Sequence, residues 1–228
     1  MKVYHKEHYE GHRRRIKEKF KKSGIKSWLD YEVLEFALTY AVARKDTKPL
    51  AKELIKKFKT FNGVLDADIK DIAAISGISE HTALFLKLLK DIAVQYLENN
   101  LQKKDLLSAS EEVFKYLKGS LKGCKNEELW SLFLDCRNQL ISSEVIQEGT
   151  VNRSVVYPRK IVERALYHHA VGVIIAHNHP AGTLEPSRED YDVTDAIKQA
   201  LNTVDIKLLD HIIIGGNNYF SFNQRRLF

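Results

Sequence analysis

The chain has 228 residues, of which 44% are hydrophobic and 29% are charged, with only 4 prolines. This composition is typical of globular proteins and excludes fibrous and disordered classes, and the length accommodates one large domain or two small ones. No segment reaches the roughly 18 apolar residues of a membrane-spanning helix, and the charged N-terminus lacks the apolar stretch of a secretory signal. We therefore expect a cytoplasmic protein with no membrane partner.

The positive charge is concentrated towards the N-terminus. Residues 1–60 contain 17 Lys or Arg against 8 Asp or Glu, whereas the other 168 residues contain 19 against 22. A basic end on a nearly neutral body is typical of proteins that contact nucleic acid. A solvated, lysine-rich helical surface explains the same pattern equally well. DNA is therefore one candidate partner.

The first half of the chain has a helical pattern. Apolar residues recur at helical spacing from Gly11 to about Leu101, and the polar segment 103–110 interrupts this pattern. We therefore predict a small helical domain over residues 1–105 and a second domain over residues 106–228.

One stretch of this half, residues 72–79, is similar to the turn of a helix-hairpin-helix element. In such an element, backbone amides near Gly77 and the following helix N-terminus hold a phosphate without reading base sequence, and Lys87 lies on that following helix. An ordinary helix pair separated by glycine explains the stretch as well, since no lysine stands at the turn itself. Gly77 and Lys87 are accordingly candidate nucleic-acid contacts.

The second half alternates strand and helix patterns. A hairpin, a helix, a buried apolar strand, a second helix and two further strands follow in order. The predicted ranges are 129–135 and 141–149 for the hairpin, 158–169 for the first helix, 171–176 for the buried strand, 187–202 for the second helix, and 206–214 and 219–222 for the last strands. This order predicts a mixed α/β (α+β) domain.

A possible metal site follows the buried strand. His177 and His179 are two apart in extended backbone, so their side chains project to the same side. A turn containing Pro180 and Gly182 then allows Asp190, in the first turn of the next helix, to return a carboxylate towards both imidazoles. Three protein ligands that leave a fourth position for water are typical of catalytic zinc. We therefore predict one zinc ion per chain.

Two simpler explanations exist for parts of this pattern. Histidines at strand ends often hydrogen-bond to backbone groups, and Ser187 with Asp190 has the spacing of a helix capping box. Neither explains why two imidazoles, a Gly-Pro turn and an acid cluster within 14 positions after an apolar strand. Their combination favours the metal site.

These residues also resemble a known family. His-x-His, seven residues and then Ser-x-x-Asp form the JAMM signature of JAB/MPN metallopeptidase domains. The longer segments resemble the bacterial RadC family in particular over nearly the whole chain; they are residues 149–152, 157–159, 177–182, 186–190 and 209–212, with Gly11 to Arg15 and Asp30 to Glu35 in the first half. The resemblance implies a JAB/MPN-like (cytidine-deaminase-like) mixed sheet preceded by a helical module.

The resemblance also implies roles for residues around the metal. A glutamate of the first strand acts as general base, and we assign this role to Glu128, which opens the strand Glu-Leu-Trp-Ser-Leu-Phe-Leu. Glu144 on the next strand is the competitor, and Glu127 is one residue away on the other face. The Ser187 hydroxyl is the implied donor to the oxyanion.

Other histidines are weaker candidates. His5, His8 and His12 share one face if their segment is helical, so a second metal site is conceivable there. We interpret His168 and His169 as surface residues. The last candidate, His211, is either a neighbour of the metal ligands or a packed core histidine.

Two hypotheses for function follow. The first is a zinc hydrolase that cleaves an amide or isopeptide bond of an unknown protein or peptide substrate. The second is a DNA-associated repair or recombination factor, the historical label of the RadC family, in which the metal pocket is structural, regulatory or nucleolytic. Neither the substrate nor the oligomeric state follows from the sequence.

Overall fold

The computed structural model of the chain describes residues 11–43, 45–121, 124, 126–148 and 158–227. Within these ranges the helices are α1 (His12–Ser23), α2 (Asp30–Ala41), α3 (Lys48–Phe58), α4 (Phe61–Asp66), α5 (Ile69–Ala73), α6 (Glu80–Leu101), α7 (Ser110–Leu121), α8 (Pro158–Tyr167) and α9 (Arg188–Asn202). The strands are β1 (Glu128–Leu134), β2 (Leu140–Glu148), β3 (Gly172–His179), β4 (Lys207–Gly215) and β5 (Asn218–Ser221). None of the helices described is long and apolar enough to cross a membrane.

The chain divides into two compact units, Met1–Ile92 and Ala93–Phe228, and the division falls within the sequence of α6. The expected domain boundary near residue 105 stays a prediction. The first unit contains α1 to α5 and the beginning of α6, and the fold is helical there, as expected. Its core is built from apolar residues at helical spacing, including Leu34, Leu38, Leu54 and Leu86.

The second unit is a mixed α/β layer built on a five-stranded sheet. The strand order is β2-β1-β3-β4-β5; β3 and β4 are parallel, and the other neighbours are antiparallel. The link from β3 to β4 contains α9, because parallel neighbours need a crossover connection. The predicted strands are all present, and β3 extends to His179, beyond its expected end at residue 176.

The two faces of the sheet bury different residues of the same strands. On one face, Leu132 and Ile174 pack with α7, while on the other, Phe133 and Ile175 pack with α8 and α9. Side chains alternate between faces along each strand. A functional group on β1 or β3 therefore faces α9 only if its position has the parity of Phe133 and Ile175.

Candidate metal centre

The strand β3 and the helix α9 bring three metal-binding side chains together. His177 Nε2 lies 2.9 Å from His179 Nε2 and 3.2 Å from Asp190 Oδ1, and His179 Nε2 is 3.6 Å from Asp190 Oδ2. All three donor groups lie within 4.8 Å of one another. We call His177, His179 and Asp190 the His177 group. Its two imidazole nitrogens and its carboxylate are a donor set that suits zinc.

A chain of hydrogen bonds behind His177 orients its ring. Thr194 Oγ1 lies 2.5 Å from the Asp190 carbonyl oxygen, which can only accept, so the threonine hydroxyl donates there. The threonine oxygen then accepts from His211 Nδ1–H at 2.6 Å, and His211 Nε2 accepts from His177 Nδ1–H at 2.9 Å. The remaining nitrogen, His177 Nε2, therefore faces the other two members of the site and is the one that a metal would take.

Burial of His211 fixes the direction of these hydrogen bonds. His211 is 1% exposed, and burial lowers its pKa well below the ordinary value, so the ring is neutral and one nitrogen must accept. Its ring also stacks on Phe222 with centroids 4.8 Å apart. His211 is thus both a packed core histidine and a neighbour of a candidate ligand. Both alternatives that the sequence left open for His211 therefore apply.

The second imidazole is oriented by a loop carbonyl. His179 Nδ1–H donates to the carbonyl oxygen of Thr183 at 3.0 Å, which leaves Nε2 for a metal. The loop can approach because Gly215 has no side chain: a Cβ there would lie 2.5 Å from that same carbonyl oxygen. Glycine is therefore required at position 215 if the loop is to hold His179 in this orientation.

The carboxylate of Asp190 is held by the start of α9. Its Oδ2 accepts from the Ser187 backbone N–H at 2.7 Å and from the Ser187 hydroxyl at 2.8 Å. Asp190 is 3% exposed; burial alone would raise its pKa, but the hydrogen bonds with His177 and His179 outweigh burial and hold the pKa well below its usual range. The charged form that a metal requires is thus favoured.

An open cavity of about 280 Å³ lies beside the His177 group. Its lining includes His179, Asp190, Ser187 and Glu127, together with the exposed acid Glu189. The pKa of His179 is raised, chiefly by its hydrogen bond with Asp190 and, in smaller part, by the charge of Glu127. Glu127 is therefore a carboxylate of the cavity lining whose charge reaches His179.

Comparison with known proteins agrees with these features. A family profile described as a RadC-like JAB domain matches residues 107–227. The chain is also 37% identical over 225 residues to a UPF0758 protein of Fusobacterium nucleatum subsp. nucleatum, covering 96% of this chain and 97% of that protein. The chain belongs to the RadC family. The fold and family expected from the sequence are confirmed.

In this RadC-family chain, Glu128 does not point to the His177 group. Leu129 pairs with His177 across β1 and β3, so Glu128 has the opposite parity and lies on the α7 face of the sheet. Its Oε2 accepts from Trp130 Nε1 at 3.0 Å. The assignment of the base to Glu128 is therefore not supported by the geometry, because one residue along a strand reverses the face.

Asn178, which sequence reasoning passed over, positions Glu127 in the RadC-family chain. The Asn178 side chain is buried; its Oδ1 accepts from the Glu128 backbone N–H at 2.8 Å, and its Nδ2 donates to the Asn126 carbonyl at 3.1 Å. These two bonds hold the backbone on both sides of Glu127 against β3. A polar residue between two histidines of a buried strand was the signal for this role.

Glu144 is engaged elsewhere. Arg164 donates two hydrogen bonds to its carboxylate, at 2.6 and 2.5 Å, and His168 Nε2 lies 2.7 Å away. His168 is also stacked on Phe133, with its side chain 15% exposed. The interpretation of His168 as a surface residue was therefore wrong, whereas the neighbouring His169 is exposed as expected.

The candidate nucleic-acid contacts of the first unit differ in their outcome. Gly77 adopts a left-handed φ of 88° just before α6, as a tight hairpin turn requires. Lys87 instead donates to the carbonyl oxygens of Leu65 and Ala67, at 2.7 and 3.2 Å, and burial lowers its pKa. It stabilises the end of α4, so its expected phosphate contact is not supported.

Several expected features fall outside the described residues. They are His5 and His8 of the conceivable N-terminal site, and residues 149–152 and Tyr157 of the RadC-like segments. The third histidine, His12, is described and lies near two acids of the first unit.

The hydrogen bond between His177 and His211 predicts an effect on metal affinity. Replacing His211 with Phe keeps a ring against Phe222 but removes the acceptor for His177 Nδ1–H, so zinc affinity should fall about 10- to 100-fold. His211→Gln, whose side-chain oxygen can accept in the same place, should retain most of the affinity. Competition titration with a zinc chelator measures both. Equal affinity of wild type and a folded His211→Phe variant would contradict the orienting role.

The contacts of Glu144 predict a dependence of stability on pH. Hydrogen bonds from Arg164, and then from His168, outweigh burial and lower the pKa of Glu144 from 4.5 to about 2. A carboxyl whose pKa is depressed in the folded state stabilises the fold above its unfolded pKa, and this contribution disappears as pH falls towards 2. Thermal melts should therefore show Glu144→Gln less stable than wild type at neutral pH, by a difference that shrinks below about pH 4.5.

The matched control for that experiment is Glu148→Gln, which changes an exposed residue of the same strand. Its melting temperature should follow that of wild type at every pH. A constant difference between Glu144→Gln and wild type down to acidic pH would show that the ion pair is not the cause.

Proposed function

We propose that this RadC-family protein is a zinc-dependent hydrolase that cleaves an amide bond of a protein or peptide, isopeptide bonds included. The observation that carries the proposal is the convergence of the His177 group on one point beside an open cavity that Glu127 also lines. The hydrogen bonds that join His177 to His211, Thr194 and the Asp190 carbonyl add support, since they favour the His177 tautomer that binds a metal through Nε2.

The three residues of the His177 group would hold the zinc ion. When bound, zinc supplies Lewis acidity, which activates water at neutral pH and polarises the substrate carbonyl. Asp190 Oδ1 and the two imidazole Nε2 atoms would be the donors, because Asp190 Oδ2 already accepts two hydrogen bonds from Ser187.

Glu127 is our choice for the general base. Its carboxylate takes a proton from the attacking water as the water oxygen bonds to the carbonyl carbon. The same proton is then delivered to the nitrogen of the leaving amine as the carbon–nitrogen bond breaks. Position 127 has the parity of Leu129, which pairs with His177, so its side chain belongs to the side of the sheet where the reaction takes place.

The Ser187 hydroxyl can serve as the donor to the oxyanion. It donates to Asp190 Oδ2 at rest, but rotation about its C–O bond turns the hydrogen towards the cavity. Asp190 Oδ2 keeps the Ser187 backbone N–H as a donor, and the Ser187 oxygen still accepts from the Asp190 backbone N–H at 3.2 Å. The start of α9 therefore remains capped while the hydroxyl is used.

The charge around the cavity favours an amide over a phosphodiester substrate. Glu127, Glu185 and Glu189 all line it. Three carboxylates repel the phosphates of a nucleic acid and attract substrates with positive charge near the scissile bond. The acidic lining thus argues against a nucleolytic role for the metal pocket.

Glu127→Gln should lower the rate of hydrolysis about 10²- to 10⁴-fold without changing zinc content, because it removes the proton acceptor and no metal ligand. The measurement uses a proteome-derived peptide library and a set of isopeptide-linked peptides, incubated with zinc-loaded protein and read by mass spectrometry for new termini.

Glu128→Gln is the matched control, since it changes the same residue type one position away on the other face of the sheet. It should retain the activity of the wild type. If Glu128→Gln abolished cleavage while Glu127→Gln did not, the base assignment would be reversed. A library left uncut by zinc-loaded wild type would count against the hydrolase itself.

A second function, DNA association, is favoured by the surface of α1. Arg14, Arg15 and Lys22 lie together on this helix with Lys19, which pairs with Glu32. The hairpin turn at Gly77 belongs to the same compact unit. In this proposal the first unit holds DNA through phosphates, and the repair or recombination role follows from that binding.

If α1 contacts about three phosphates, affinity for a short DNA duplex should fall roughly 40-fold between about 50 and 200 mM salt. Arg14→Glu with Lys22→Glu should weaken binding and reduce the dependence of affinity on salt, because a protein with fewer phosphate contacts releases fewer counterions when it binds. Lys115→Glu on α7 is the control. Fluorescence anisotropy gives both quantities, and undetectable binding at the lower salt would exclude this function.

A further inference from the structure

A second cluster of metal-binding side chains lies in the first unit. Its members are His12 at the start of α1, Glu35 in α2, and Asp46 in the segment between α2 and α3. Their donor atoms lie within 4.8 Å of one another, and His12 Nε2 is in hydrogen-bonding contact with Glu35 Oε1. We call these three residues the His12 group. None of them belongs to the His177 group or its cavity.

Hydrogen bonds to backbone carbonyls hold the segments of the His12 group together. The Arg13 guanidinium, next to His12, donates to the carbonyl oxygens of Thr39, Val42 and Lys45 at 3.1, 2.5 and 2.9 Å. These bonds fasten the start of α1 to the end of α2 and to the residue before Asp46. A binding site whose donors come from different segments needs such fastening to keep its geometry.

Two further bonds fix the backbone at Glu35 and the side chain of Asp46. The buried Thr47 hydroxyl donates to the Glu35 carbonyl oxygen at 3.0 Å, which joins the residue after Asp46 to α2. The Lys48 backbone N–H donates to Asp46 Oδ1 at 3.0 Å, which leaves Oδ2 for another partner. The backbone of Glu35 and the carboxylate of Asp46 are therefore positioned by contacts that carry no opposite charge.

The two carboxylates of the His12 group favour a cation beside them. Glu35 is 2% exposed, and a buried carboxylate is costly unless its charge is compensated. Within residues 11–43 and 45–121, the ion pair recorded for Glu35 is with His12, and Asp46 has none. One imidazolium can balance only one of the two carboxylates. A divalent cation with a neutral imidazole balances both.

We propose that His12, Glu35 and Asp46 bind a divalent transition-metal ion, with zinc as the probe, in a second site that is distinct from the His177 group. One imidazole nitrogen and two carboxylate oxygens are donors that zinc accepts readily. The ion links α1, α2 and the segment before α3, so its binding stabilises the first unit. The full chain then holds two zinc ions, where the JAMM signature alone predicts one.

The test isolates the second site in the full-length chain. Asp190→Asn removes a ligand of the His177 group, so zinc-loaded, desalted Asp190→Asn protein should retain about one zinc per chain by elemental analysis. Adding Asp46→Asn should remove that zinc, and adding His12→Ala instead should do the same. Zinc should raise the melting temperature of Asp190→Asn but not that of either double variant.

The matched control is Asp91→Asn in the Asp190→Asn background, which changes an exposed aspartate of the same unit and should leave the remaining zinc in place. Circular dichroism confirms that each variant is folded; if Asp46→Asn unfolds, His12→Ala decides, since the His12 side chain is 31% exposed. Folded Asp190→Asn without zinc would overturn the proposal. So would zinc that persists after both substitutions in the His12 group. Either result leaves the His177 group untouched.

Discussion

Parallel pairing of β3 with β4 is the constraint on which the candidate metal centre depends. The pairing sets Ile175 opposite His211 and His177 opposite Ile213, so His211 lies beside and behind the first imidazole. From there its Nε2 accepts a hydrogen bond from His177 Nδ1–H, and its Nδ1–H donates to the Thr194 hydroxyl oxygen. The Thr194 hydroxyl in turn donates to the Asp190 carbonyl oxygen. A strand and the crossover helix beside it thus determine which nitrogen of His177 faces the other members of the His177 group, through residues outside that group.

The same sheet determines which glutamate lies on the side of the His177 group. Neighbouring positions on β1 face opposite layers, and Asn178 joins the backbone around Glu127 to β3 through both atoms of its amide. Glu127 therefore shares a side with the His177 group, and Glu128 lies with Trp130 on the other side. Glu144 has the right residue type but is committed to Arg164 and His168, whose hydrogen bonds keep it charged and engaged. Position, and not residue type, separates the three acids.

The two candidate binding surfaces differ in charge. Basic side chains collect on α1, whereas carboxylates surround the cavity beside the His177 group. Binding to phosphates and attack on an amide are therefore compatible in one chain only if they use different units. The His12 group lies in the basic unit, where its two acids are held by backbone contacts in the middle of a positively charged sequence. A cation bound there would have a structural role that does not depend on the chemistry of the second unit.

The sequence by itself determined the helical first half, the order of strands and helices in the second, the family, and the three members of the His177 group. These features depend on local periodicity and on short spacings, which a sequence displays directly. Only the tertiary structure decided which sides of the sheet Glu127 and Glu128 face and that His168 stacks on Phe133. It also decided that Lys87 bonds to carbonyl groups at the end of α4 and that His12 meets Glu35 and Asp46. Each of those outcomes depends on strand register or on contacts between segments far apart in the chain, and no local pattern encodes them.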